Sequence, residues 1–257
     1  KTLKKFPVKL KDGTVSFAGE LSEPGFLQAR VSSDSEGKVF SQWGVAISPT
    51  DIKPSMPVPA DFDAFWKGQL DALAKVPLNP DLKPVVNKKA EEAGVEVFDT
   101  RVDCVGSAKV SGYYARKAGA KPKSLPAIIS LHGAGVRSSD MGGPVNWASK
   151  GFIAMDINAH GIDNGKDEAF YKAQIEGPLK DYRYVGRDSR EKSYFTFMFL
   201  RAKRALDFLC SQPEWDGRTL IVSGGSQGGF QAFAAAALDE RTTMMIAHVP
   251  AGSDHTG

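Results

Sequence analysis

The sequence predicts an α/β protein with a mostly parallel central sheet, preceded by a small β-rich N-terminal segment. Two observations support this fold class. From about residue 94, short apolar stretches without polar alternation are separated by helical patterns, which is typical of a parallel sheet covered by helices on both faces. Before residue 50, short strand patterns are instead separated by turn signals such as Asp12-Gly13 and Pro24-Gly25, as in small antiparallel sheets.

We expect three regions along the chain. Residues 1–50 form the β-rich accessory segment, with strands predicted at 8–10, 15–17, 26–31 and 39–47. Residues 51–93 contain a proline-rich arm, which cannot be helical throughout, and then an amphipathic helix. That helix is predicted to start near Asp61, because one face collects apolar side chains, namely Phe62, Phe65, Trp66, Leu70 and Leu73.

Residues 94–257 form the α/β domain, which we expect to be incomplete at its C-terminal end. It begins with a predicted hairpin at 95–105 and 110–115. Apolar runs then predict strands at 127–130, 152–155, 219–222 and 244–249. Helices are predicted around 147–150, 195–210 and 227–238, the last rich in alanine.

Composition excludes several classes of function. The net charge is +3, from 33 basic and 30 acidic residues, so no overall field favours nucleic acid. No apolar run reaches the length of about 18 residues that a membrane span requires. Cys104 and Cys210 are too far apart for a zinc motif and are interpreted as buried thiols. The four histidines lack a His-x-x-x-His spacing, so no metal site is predicted.

The strongest functional signal is the run Gly224-Gly225-Ser226-Gln227-Gly228-Gly229. It lies between the predicted strand 219–222 and the predicted helix that follows, which is the setting of the nucleophile elbow of α/β-hydrolases. The turn strains the backbone of Ser226 and leaves no room for side chains two positions away, so Gly224 and Gly228 are required. A phosphate-binding loop is disfavoured, because neither a Lys-Ser/Thr ending nor Gly-x-Gly-x-x-Gly is present.

A second signal, Leu131-His132-Gly133-Ala134, directly follows the strand at 127–130. In α/β-hydrolases a loop at this place supplies one of the two backbone amides that bind the oxyanion. The predicted oxyanion donors are therefore the N–H groups of Gln227 and Ala134. We interpret His132 as a residue that shapes the loop rather than as an acid or base.

The other members of a catalytic triad should follow Ser226 in the order acid, then histidine. Asp254 and His255 are adjacent, so their side chains diverge, and we do not assign them these roles. We expect the acid and the base beyond residue 257, and expect residues 1–257 alone to be inactive or nearly so. His160 is interpreted as a loop histidine with a backbone partner, and His248 as structural.

Several segments resemble the acetyl xylan esterase and cephalosporin C deacetylase family of α/β-hydrolases. The most telling are Pro59-Ala60-Asp61-Phe62-Asp63-Ala64-Phe65-Trp66 and the Gly-Gly-Ser-Gln-Gly-Gly elbow. Similar segments occur at the His132-Gly133 loop, at 151–156 and at 204–209. The likeness covers roughly residues 50–257, and the segment before it resembles β-rich leaders on versions from polysaccharide-degrading bacteria.

The resemblance implies deacetylation of acetylated oligo- or polysaccharides through an acyl-enzyme, without a cofactor. It places the nucleophile at Ser226 and the oxyanion amides at Gln227 and Ala134. The family commonly has tyrosine at the position of Ala134. It also implies a homo-oligomer as one possible assembly and a periplasmic or secreted location. Other hydrolases of the fold (glucuronoyl esterase, dienelactone-hydrolase-like protein, peptidase) and an inactive carbohydrate-binding relative remain alternatives.

Overall fold

A computed structural model describes residues 4–9, 11–33 and 37–252. The described residues separate into two compact units, one that ends at Pro57 and one that begins at Val58. The division falls inside the proline-rich arm, so the helix expected between residues 51 and 93 belongs to the larger unit.

The smaller unit contains a two-stranded antiparallel sheet of β1 (Gly25–Ser32) and β2 (Val39–Ile47). These two strands confirm the predictions for 26–31 and 39–47. The strands predicted at 8–10 and 15–17 are wrong for the described residues, since Leu10 lies outside them and the rest form no strand. Alternation alone does not make a strand without a neighbour to share its hydrogen bonds, and Val8 and Phe17 stay 38% and 47% exposed.

The proline-rich arm contains a short 3-10 helix at Pro49–Asp51, and among the described residues no α-helix precedes α1 (Phe62–Ala74). The residues of the predicted apolar face of α1 become more buried towards the C-terminal end of the helix, where Leu73 is buried. Trp66 contacts Phe199 of a later helix, α5 (Tyr194–Ser211), with ring centroids 6.3 Å apart. The helix is thereby packed on the α/β body.

The larger unit is built on a seven-stranded sheet with the order β3-β4-β5-β7-β6-β8-β9. Strands β6 to β9 run parallel, whereas β3, β4, β5 and β7 pair antiparallel in that order. The bounds are β3 (Asp81–Pro84), β4 (Val95–Val102), β5 (Val110–Lys117), β6 (Leu125–Leu131), β7 (Ile153–Ile157), β8 (Trp215–Gly225) and β9 (Met244–His248). The hairpin of β4 with β5 and the four parallel strands are those that the sequence predicts.

Five further helices connect or cover these strands. They are α2 (Lys88–Glu92), α3 (Gly142–Ser149), α4 (Glu168–Glu176), α5 (Tyr194–Ser211) and α6 (Gln227–Ala237). The sequence does not predict β3, α2 or α4. The two helices each begin at a side-chain cap, in which Asn87 accepts from Ala90 N–H and Asp167 from Phe170 N–H.

The core lies between the sheet and helices α5 and α6. Every residue of β7 is buried, as are Leu206, Phe208 and Leu209 of α5. Because β6 and β8 pair in parallel with Leu131 opposite Gly224, their carboxyl ends lie side by side. The loops that follow these two strands are therefore neighbours, and they carry the predicted site.

Candidate active site

Ser226 lies in the turn between β8 and α6 with φ 54° and ψ −119°, and it is exposed. A non-glycine residue in such a conformation costs about 1–3 kcal/mol and persists only where its surroundings hold it. The surroundings do so through the backbone. Ser226 N–H donates to His248 C=O (2.9 Å), and Ser226 C=O accepts from Phe230 N–H (3.1 Å) and Ala251 N–H (2.9 Å).

The glycines around the serine are required by close backbone approach. A Cβ on Gly228 would overlap the carbonyl oxygens of Leu131 and His132, and a Cβ on Gly224 would overlap Gly228 C=O. These contacts are with backbone, which cannot rotate away. The elbow therefore brings β6, β8 and the first turn of α6 into contact that only glycine permits.

Gln227 is the first residue of α6, and its N–H has no acceptor among the described residues. The N-terminus of a helix carries partial positive charge and unpaired amides. The side chain of Gln227 is buried and accepts a hydrogen bond through Oε1 from the hydroxyl of Tyr182 (2.7 Å).

The loop after β6 lies directly beside the serine. A Cβ on Gly133 would be 3.6 Å from Ser226 Cβ and 3.5 Å from Gly225 O. His132 Nδ1 is 2.7 Å from Gly133 C=O, and since a carbonyl only accepts, Nδ1 carries the proton. In a planar trans peptide, C=O and the next N–H point in opposite directions, so His132 sets the direction of Ala134 N–H.

His132 is mostly buried, and burial lowers the pKa of its imidazole. Its Nε2 has no partner among the described residues. His132 is thus bonded to its own loop, and the loop-shaping role that the sequence suggests for it stays a prediction.

His160 is buried, follows the end of β7 and contacts the same loop at Gly135. Its Nε2 donates to Gly135 C=O (3.2 Å), and its Nδ1 accepts from the hydroxyl of Tyr194 (2.7 Å). Burial lowers the pKa of this imidazole to about 4. The expectation of a backbone partner for His160 is thus met in the structure. Tyr182 and Tyr194, which contact His160, have no signal in the sequence that would identify them.

Asp156, the penultimate residue of β7, is a second group that sequence reasoning did not identify. The residue is 5% exposed, and its Oδ1 accepts from Asp140 N–H (3.0 Å). Burial raises the pKa of this carboxyl to about 7. A single aspartate inside an otherwise apolar strand was the available signal.

Two cavities flank the loop 132–137. One of about 460 Å³ lies between Gly135, Val136 and the segment around Tyr182. The other, of about 500 Å³, is lined by polar groups, among them His132, Arg137, Ser139 and Tyr171. Both are open to solvent and lie beside the loop.

Other predicted features bear less directly on the site. Asp254 and His255 lie outside the described residues, and within 4–9, 11–33 and 37–252 no side chain is hydrogen-bonded to Ser226 Oγ. Among those residues, no group of three or more His, Cys, Asp or Glu could hold a metal ion, and no helix is long and apolar enough to cross a membrane. Cys104 and Cys210 are free thiols, partly buried, and burial raises the pKa of both.

Comparison with known proteins identifies relatives of this architecture. The acetyl esterase Axe7A of Xylanibacter ruminicola is 33% identical over 97% of this chain, which spans 56% of that relative's length. An acetyl xylan esterase from Paenibacillus sp. R4 superposes with a TM-score of 0.64 at 28% identity, over 75% of this chain and 60% of that one. Acetyl xylan esterase 1 from Thermoanaerobacterium sp. JW/SL YS485 has the same fold, with a TM-score of 0.61 at 24% identity, over 77% and 60%.

The sequence profile of one family decides the assignment. The profile described as acetyl xylan esterase (AXE1) matches residues 50–256, which include the arm, α1 and all seven strands of the larger sheet. The chain therefore belongs to the acetyl xylan esterase family and has the α/β-hydrolase fold.

Proposed function

We propose that this protein is a serine carboxylic-ester hydrolase that removes acetyl groups from acetylated carbohydrate, with Ser226 as its nucleophile. The observation that carries the proposal is the exposed Ser226 in its strained turn at the start of α6. Strain of this kind is concentrated at functional sites, and a serine at such an elbow presents Oγ to substrate.

In the proposed reaction, a histidine base takes the proton of Ser226 Oγ while Oγ attacks the ester carbonyl carbon. The carbonyl oxygen becomes an oxyanion, which the N–H groups of Gln227 and Ala134 stabilise together with the positive end of α6. Collapse of this intermediate releases the sugar hydroxyl and leaves an acetyl-serine. Water then attacks the ester in the same way and releases acetate.

The substrate class is supported by the relatives, whose names describe acetyl and acetyl xylan esterases. A polymeric carbohydrate does not enter the cytoplasm, and we therefore propose that the protein acts in the periplasm or outside the cell.

The test compares hydrolysis of p-nitrophenyl acetate and p-nitrophenyl butyrate by the full-length protein and its Ser226→Ala variant. We expect acetate to be preferred, and kcat/KM to fall by at least about 10³-fold in Ser226→Ala. Ser149→Ala, at the exposed end of α3, is the matched control and should leave kcat/KM unchanged. Acetate release from acetylated xylan is measured beside these esters.

Two results would contradict the proposal. Hydrolysis that persists in Ser226→Ala would exclude this nucleophile. A folded full-length protein that hydrolyses neither p-nitrophenyl ester and releases no acetate from acetylated xylan would exclude the esterase and favour a carbohydrate-binding role.

A further inference from the structure

The loop 132–137 is held by side chains that bind its carbonyl groups. Gly133 C=O is bonded by His132, Gly135 C=O by His160, and Arg137 C=O by the side-chain amide of Asn158. Gly135 has φ +132°, a conformation that L side chains rarely adopt. The loop has no regular secondary structure of its own, so these bonds determine which way its N–H groups point.

His160 is itself held from several sides. Its N–H donates to Asn158 Oδ1 (3.0 Å), and the preceding carbonyl, that of Ala159, accepts two bonds from the buried guanidinium of Arg201 on α5. The ring packs edge-on against Tyr182 with centroids 4.6 Å apart. Tyr194 closes the group by bonding Nδ1 and by packing on Tyr182 at 5.2 Å.

We call His160, Tyr182 and Tyr194 the buried aromatic cluster. It contacts both halves of the proposed oxyanion hole. On one side His160 bonds Gly135, the residue next to Ala134, and Val136 packs against the cluster. On the other side the hydroxyl of Tyr182 bonds the side chain of Gln227, the first residue of α6. Loop and elbow are therefore attached to one rigid group.

We propose that His160 and Tyr182 are positioning residues, which hold Gly135 and the side chain of Gln227 in place and so set the separation of Ala134 N–H from Gln227 N–H. Neither touches the reacting atoms. The inference rests on the proposed function, because it assigns to these residues the alignment of the two amides that stabilise the oxyanion. Small misalignment of such groups costs up to about 10²-fold in rate, whereas binding of the neutral ester depends little on them.

The first experiment is a matched pair of substitutions at His160 in the full-length protein. In His160→Gln the side-chain amide takes the place of Nε2–H and can still donate to Gly135 C=O. In His160→Asn the shorter side chain keeps an acceptor near Tyr194 but no longer reaches Gly135. We expect His160→Asn to lower kcat by about 10- to 100-fold with KM changed less than about threefold, and His160→Gln to restore most of the loss.

The second experiment removes one oxygen atom. Tyr182→Phe abolishes the bond to Gln227 and should lower kcat by about 5- to 30-fold, again with little change in KM. Tyr184→Phe, an exposed tyrosine on the same 3-10 turn (Tyr182–Tyr184), is the control and should leave kcat unchanged. Because Tyr182→Phe keeps the ring, it tests the proposal even if the His160 variants do not fold.

A readout that needs no turnover completes the test. Methylboronic acid adds to the serine Oγ as a tetrahedral anion that mimics the oxyanion, so its inhibition constant should rise in His160→Asn and Tyr182→Phe by the factor lost from kcat/KM. Equal losses of kcat in the two His160 variants, or lowered kcat with unchanged boronate affinity, would overturn the positioning roles. If wild-type hydrolysis does not depend on Ser226, the proposed function falls and the inference with it.

Discussion

Gly228 illustrates how much of the site is decided by single atoms. A methyl group at this position would overlap the carbonyl oxygens of Leu131 and His132, at the place where β6 ends against the first turn of α6. The elbow can be read from sequence for this reason, since the constraint is local and only glycine meets it. The pattern around Ser226 therefore carries its own structural explanation.

Substituting Gly228 with alanine should destabilise the protein by about 1–3 kcal/mol or more, because backbone must move to admit the methyl group. Urea denaturation measures the change in the free energy of unfolding. Gly68→Ala is the matched control, since Gly68 is exposed in α1 with nothing within 4 Å of the added Cβ. That control should be stabilising by about 0.5–1 kcal/mol. Equal effects at the two positions would refute the close-approach argument.

Asp156 makes a prediction about pH. With the pKa of its buried carboxyl raised to about 7 from an ordinary value of 3.8, the folded state holds a proton between pH 4 and 7 that the unfolded state has released. The contribution of Asp156 to stability therefore falls as pH rises through this range. Asp156→Asn keeps an acceptor for Asp140 N–H and should stabilise the protein at pH 8 by on the order of 2–4 kcal/mol, with the gain shrinking towards pH 4.

Urea titrations at pH 4.5, 6 and 8 follow this dependence. Asp81→Asn, an exposed position on β3, serves as the control, because surface substitutions usually change stability by less than about 0.5 kcal/mol. An Asp156→Asn gain that does not vary with pH would show that the buried charge is not its cause.

The buried aromatic cluster marks the limit of residue-level reasoning. His160, Tyr182 and Tyr194 come from three separate segments and meet Gly135 and Gln227 only through the fold. No spacing in the sequence joins them. Chemistry that depends on a local turn is predictable from sequence, whereas chemistry that depends on distant segments packing together is not.

At the level of elements, prediction succeeds where burial enforces a pattern. Strands β6 and β7 and the long helix α5 carry continuous or helically spaced apolar residues, because the core covers the strands on two faces and the helix along one. Short pieces such as β3, α2 and α4 are held by caps and by single ladders instead, and leave little periodicity. The two N-terminal strands predicted at 8–10 and 15–17 have a pattern but no neighbouring strand.

Helix α1 allows a quantitative test at this scale. Leu73 is 1% exposed, and its carbonyl accepts a bond from the buried Arg204 on α5. Leu73→Ala should cost about 2–4 kcal/mol through lost burial and the remaining cavity. Val86→Ala, at a residue that is 88% exposed, should cost less than about 0.5 kcal/mol. Thermal and urea unfolding measure both, and a small effect at Leu73 would mean that α1 is not part of the core.

For the whole molecule, the fold class follows from the alternation of apolar strands and helices, but the division into units does not. The sequence places region boundaries at residues 50 and 93, and these remain predictions. The compact units separate at Pro57, after the 3-10 helix Pro49–Asp51 and before α1. A proline-rich arm has no hydrophobic periodicity, so its sequence does not indicate the residue at which one compact unit ends.

This division predicts that residues 1–57 can be removed. Strands β1 and β2 pair with each other, and the ladders of β3 to β9 all lie within residues 58–253. The full-length protein shortened to begin at Val58 should keep its Tm within about 3 °C and its Ser226-dependent hydrolysis. Removal through Leu73 should lower Tm markedly, because it deletes α1. A similar loss of Tm in both truncations would contradict the independence of the larger unit.

The hydrogen bonds of Ser226 have a consequence for the order of events during synthesis. Its backbone is hydrogen-bonded to His248, the last residue of β9, and to Ala251. Both residues leave the ribosome after the serine itself. A nascent chain that ends shortly after α6 therefore contains Ser226 but lacks the contacts that keep its backbone in the strained state. Ser226 reaches that backbone conformation only when the later-made segment has docked, so an unfinished chain presents an ordinary serine to the cell.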